Sequence, residues 1–175
     1  MTAARLEVLA AARLCPPKDL KLSGDADMKR IQRIAYIRET LESWLLTQDV
    51  LDGVAYEMHI GRGQAASEAG SQAVGAFLTI PGIPRCRQWR IYVPTAKAVW
   101  GGNKLATEVA KPAVVRWARL EFARDFEKNG IRPLSDDDDA IADALAVAVA
   151  AWGKWRAEET AKLQPRLTGK RGGKL

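Results

Sequence analysis

Three carboxylates occupy positions where a carboxylate is costly or well placed for chemistry. Asp143 lies inside the run Ala140–Val149, where nearly every neighbour is apolar. A helix apolar almost all round is expected to be buried, and a carboxylate one turn inside it needs a partner or a metal. Asp139 precedes it by four residues and shares its helical face. Two stacked acids repel each other, and an intervening divalent cation relieves that repulsion. Glu57 closes the short apolar run GVAYE, and sites of open α/β sheets assemble at the carboxyl ends of strands. Oxygen-only donors of this kind suit Mg²⁺ or Mn²⁺, which activate water and stabilise a leaving oxygen in phosphodiester cleavage. The plain alternative for residues 136–139 is that they serve a helix N-terminus. That covers Asp136 to Asp138 but not Asp143, which is too deep in the helix to cap it.

The elements that position these acids follow from periodicity and breakers. Residues 4–14 read as one or two short strands, or as a short helix, ending at Pro16-Pro17. Ile31, Ile34, Ile37, Leu41 and Leu45 recur at helical spacing and predict a helix over 27–46. Strands are expected at 53–57 and 89–93, flanking an alanine-rich helix over 64–78. A Lys- and Gly-rich loop over 95–104 then leads to a helix over 112–128, with Pro112 at its first position. Asn129-Gly130 ends that helix. Ser135 and the aspartates cap a last one running to about residue 163. Helices alternating with buried strands imply an α/β fold with a parallel sheet covered on both faces.

Composition narrows the partners. With 175 residues, 47% of them hydrophobic, the chain suits one domain, taken as residues 1–160, with a basic and disordered tail over 161–175. Cys15 and Cys86 are too few for a disulfide scaffold and fit a reducing, cytoplasmic setting, while one histidine excludes a His/Cys zinc site. No apolar run is long enough to cross a membrane, and the first residues make a poor signal peptide. The formal charge of +6 owes five charges to the tail beyond Ala161. Within the body, residues 85–119 hold eight basic residues against the single acid Glu108. A basic stretch beside an acidic cluster suits a polyanion-binding surface next to a cation site.

Together these residues resemble the RuvC-like Holliday-junction resolvases of the RNase H-like superfamily. The resemblance runs over residues 27–155 through VAYE, QAASEAGSQAVGAF, WRIYVPTAKAVWGGNKLATEVAKPAVV and DAIADALAVA. Its most specific parts are DALAVA and the order Pro94, Lys97, Gly101, Lys111. It implies an RNase H-like mixed sheet with helices on both faces and a Mg²⁺-dependent (or Mn²⁺-dependent) endonuclease that cleaves branched DNA as a homodimer. By that resemblance Glu57, Asp139 and Asp143 are the catalytic metal ligands. The family spacing of three falls on Ala140, so Asp139 or Asp138 must substitute. Lys97 and Lys111 correspond to basic residues near the scissile phosphate, and Lys104 and Arg62 add phosphate contacts.

One family feature has no counterpart. The first strand, which ends in a catalytic aspartate, is absent, and RLEVLAAARLCPP resembles the second and third strands instead. The expectation is that Met1 is an internal start, and that activity of the chain as written is impaired. Two other readings compete: a non-catalytic DNA-binding protein using the basic stretch 85–119 and the tail, and a helical interaction protein with Trp117, Trp152 and Trp155 in a core or interface.

Overall fold

The computed structural model describes residues 6–8, 11, 16–17, 19–47, 53–58 and 64–163. The chain forms helix α1 (Ala26–Leu45), strand β1 (Gly53–Met58), helix α2 (Gln64–Leu78), strand β2 (Arg87–Tyr92) and helices α3 (Val93–Val99), α4 (Thr107–Glu121), α5 (Ala123–Lys128) and α6 (Asp139–Leu163). Short 3₁₀ turns at Ile83–Arg85 and Gly102–Lys104 join them. The fold is α/β and mostly helical. Among the described residues the sheet has two parallel strands, with Gly53 opposite Arg87 and Glu57 opposite Ile91.

Strand alternation sends β1 side chains to two different cores. Val54 packs with Ile80, Ile83, Leu41, Leu45 and Phe77, and Tyr56 meets Phe77 edge-on, so α1 and α2 cover one face. Ala55, Trp89 and Ile91 pack with Ala96, Ala146, Val147 and Ala151, so α3 and α6 cover the other. The expected parallel sheet with helices on both faces is therefore present. α6 also serves a second core, in which Ile141, Ala142 and Leu145 meet Val114, Val115, Ala118 and Phe122.

The N-terminal segment is held by side chains. Asp125 accepts the Val8 N–H at 3.3 Å and Asn129 donates to the Val8 carbonyl at 2.8 Å. Both backbone groups of one extended residue are thus satisfied without a neighbouring strand. Leu6–Val8 and Ala11 are not in a strand. The rest of the strand expected over 4–14 lies outside the described residues.

Three boundaries differ from expectation. β2 ends at Tyr92, and Pro94 stands in the first turn of α3, where its missing N–H costs nothing. Part of the loop expected over 95–104 is therefore helical. Pro112 is inside α4, which starts five residues earlier at Thr107. The single helix expected over 112–128 is two, because Phe122 leaves helical geometry at φ −110° and ψ 13°. That turn drives its ring into the core, 2% exposed, between Trp117 and Phe126. α6 continues to Leu163, past the domain limit expected at residue 160, and the remainder of the tail lies outside the described residues.

Trp100 spans the gap between the two cores served by α6. Its ring lies over Gly102, where an added Cβ would come within 2.1 Å of the indole. A Gly102→Ala substitution is expected to destabilise the chain by about 1–3 kcal/mol, the usual cost of overpacking. Thermal melts read the loss, and a red-shifted tryptophan emission is the accompanying sign.

Candidate functional site

Direction of α6 decides which residues meet. Near its C-terminal end, Glu158 and Glu159 pair with Arg87 at the start of β2. Nearer its start, Ala146 and Val147 pack with Ile91 at the end of that strand and with Ala96 of α3. α6 therefore runs antiparallel to the strands, and its first turns overhang their carboxyl ends. Asp143 precedes Ala146 and Val147 by three and four residues, so it continues the sheet-facing stripe beyond the sheet. Glu57, half-buried, sits near the end of β1 on the side of Ala55. The two acids are consequently brought to the same end of the molecule.

Asp143 is exposed, not buried as its apolar neighbours suggest. Ala140 and Ala144 near it on α6 are exposed as well, while Ala142 is buried on the other side of the helix. The expected burial of Asp143 is therefore not found.

The other aspartates are committed. Asp138 is 4% exposed and accepts from both terminal nitrogens of Arg132, at 2.8 and 3.0 Å. It also accepts the Ser135 N–H at 2.7 Å and the Ser135 hydroxyl at 2.8 Å. Its own carbonyl takes the first helical bonds of α6, from Ile141 and Ala142. The Arg132 hydrogen bonds, followed by those from Ser135, hold its carboxyl well below the usual carboxylate range. Asp138 is therefore a structural lock and not an alternative metal ligand. Sequence reasoning credited Ser135 with capping; the hydroxyl instead supports the acid that begins the helix. Asp136 pairs with Arg119 at 2.8 Å. Asp139, the first residue of α6, pairs with Lys111 of α4 at 2.9 Å.

Of the expected phosphate contacts, Lys97 is half-exposed on α3 beside Ala96, and Ala96 touches α6 at Ala146 and Val147. Lys104 is exposed at the end of the 3₁₀ turn after α3. Lys111 is exposed and reaches the first turn of α6. Arg62 lies outside the described residues. Arg90 was not singled out from sequence; it donates to the Tyr56 hydroxyl at 3.0 Å and borders a cavity of about 380 Å³ with Glu57 and Ser71. A larger groove of about 730 Å³, lined by Gly53–Ala55, Trp89, Trp152 and Trp155, lies toward the opposite end of the strands.

Glu57 and Asp143 supply the hard oxygen donors that suit Mg²⁺, an ion commonly held by one or two carboxylates together with substrate phosphates. Among the described residues no three acidic, His or Cys side chains come together as a metal-holding group. No helix among the described residues is long and apolar enough to cross a membrane. No protein-family model, curated protein or solved structure matches the chain.

The Asp138 lock has a pH signature. Its folded-state pKa is depressed, so the stabilisation is full above the unfolded value of ~3.9 and is lost as pH falls toward the folded value. Asp138→Asn is expected to lower the melting temperature at pH 7 by at least the roughly 2–4 °C of a lost helix cap in a chain this long. The gap between variant and wild type should close progressively below about pH 4.

Proposed function

We propose that the chain is a RuvC-like, RNase H-fold endonuclease acting on branched DNA. The observation that supports this reading is the antiparallel course of α6 over the sheet, whose first turns, Asp143 among them, run toward the carboxyl ends of the strands, the end at which Glu57 lies. Lys97 and Lys111 stand on the elements around those acids. In this reading Glu57 and Asp143 hold Mg²⁺ (or Mn²⁺), with Asp139 adjacent. The cation, when bound, stabilises charge at the scissile phosphate and lowers the pKa of the attacking water. Lys97, Lys104 and Lys111 take DNA phosphates, positioning the backbone without reading sequence. A four-way junction presents two symmetric strands to cut, which favours a homodimer.

A second reading is a non-catalytic DNA-binding protein of the same fold. It is favoured by the ion pair that occupies Asp139.

The two separate on a synthetic four-way junction. The nuclease reading expects nicking that requires Mg²⁺ or Mn²⁺ and falls on the order of 10²-fold or more in Glu57→Gln and in Asp143→Asn. Junction binding in EDTA should survive both substitutions. Lys97→Ala should weaken binding and lower the salt slope by about one. Salt-sensitive binding with no cleavage at any divalent concentration rejects the nuclease and leaves the binding protein.

A further inference from the structure

Arg90 and Tyr56 are neighbours across the parallel strand pair. Tyr56 is 9% exposed and its ring meets Phe77 edge-on, so its hydroxyl has a fixed position. That hydroxyl accepts from Arg90 Nε at 3.0 Å and retains its own proton to donate. The bond sets the plane of the guanidinium and leaves Nη1 and Nη2 as a fork. Among the described residues no carboxylate pairs with Arg90. Arg87, Arg119 and Arg132 are each held by an acid. The Arg90–Tyr56 pair opens on the cavity of about 380 Å³ between α2 and the strands. Gly70, Ser71 and Gly75 form part of its α2 wall, and a Cβ added at Gly75 would meet nothing within 4 Å. Glu57 is the one acid among the described lining residues, and strand alternation turns its side chain to the other face of the sheet from Tyr56.

We infer that Arg90, oriented by Tyr56, anchors a phosphate-binding pocket between α2 and the strands. A planar guanidinium fork matches two phosphate oxygens at once, and a fork already held in plane loses less freedom on binding. The Tyr56 hydroxyl supplies a further donor from the floor of the cavity, and Ser71 stands on the α2 wall. The phosphoryl group has two sources, the backbone of DNA or a free phosphate ester. The first extends the DNA contacts proposed above to the α2 face of the sheet, opposite the face covered by α3 and α6. It rests on the DNA-binding part of that reading; the pocket itself depends on neither the cation nor the cleavage.

The test uses the full chain as wild type, Arg90→Gln, Tyr56→Phe and Gly75→Leu. Inorganic phosphate is titrated against chloride at constant ionic strength while the Arg90 Nε–H resonance is followed by NMR. Affinity for a four-way junction is measured in EDTA across a salt series. Phosphate should shift the Arg90 resonance saturably in the wild type, and Gly75→Leu, which fills the cavity, should abolish the shift. Leucine is a better helix former than glycine, so the melting temperature of that variant should not fall. Arg90→Gln should weaken junction binding several-fold and lower the salt slope by about one. Tyr56→Phe should weaken binding with the slope unchanged, because the charge stays and only its orientation is lost. A saturable phosphate shift with unaltered junction binding in Arg90→Gln keeps the pocket and assigns it to a free phosphate ester. Absence of a saturable shift in the wild type overturns the pocket, and so does a shift that survives Gly75→Leu. If the wild type binds no junction, the DNA reading falls while the phosphate titration still decides the pocket.

Discussion

Close packing of α6 through small side chains is the constraint on which the rest of the molecule depends. Ala142 and Ala146 are fully buried and Ala151 nearly so, and they face two different surfaces. One stripe, Ile141, Ala142 and Leu145, meets α4; the other, Ala146, Val147 and Ala151, meets the sheet and α3. Larger residues at the alanine positions would push the helix off one surface or the other, since cores resist added volume. Because a single rigid helix is wedged between both, its axial position is fixed. That position sets how far its first turns project past the strands, and so where Asp139 and Asp143 stand relative to Glu57.

The acids around the start of α6 meet different environments. Asp136 pairs with a surface arginine, Asp138 is locked by Arg132 and Ser135, Asp139 pairs with Lys111, and Asp143 is exposed. The lock at Asp138 fixes the loop from Arg132 onward and therefore the start of the helix.

Much of this was legible in the chain because periodicity and breakers report directly on local geometry. α1, α2, the two strands and α6 fall within a few residues of where spacing places them, and their parallel pairing follows from the intervening helices. Misses came where tertiary context decides. Nothing in AIADALAVA says where the sheet beneath the helix ends, so Asp143 reads as buried although it overhangs. Four adjacent aspartates look alike in sequence, yet Arg132 six residues before Asp138 and Ser135 three before it single that one out. That Ser–Asp spacing was available as a signal. The break at Phe122 was not, since it answers to the aromatic packing of Trp117 and Phe126.

The two functional readings meet in the same physical question, which is how much negative charge the end of α6 retains for a ligand. Asp138 is already balanced by an arginine that cannot lose its proton, so it offers nothing further. Asp139 is paired with Lys111, whose side chain is largely exposed. A surface meant only to hold DNA gains from keeping that lysine outward and has no use for an acid that captures it. Placing an acid where it captures a phosphate-binding lysine weakens DNA binding unless some other cation relieves it.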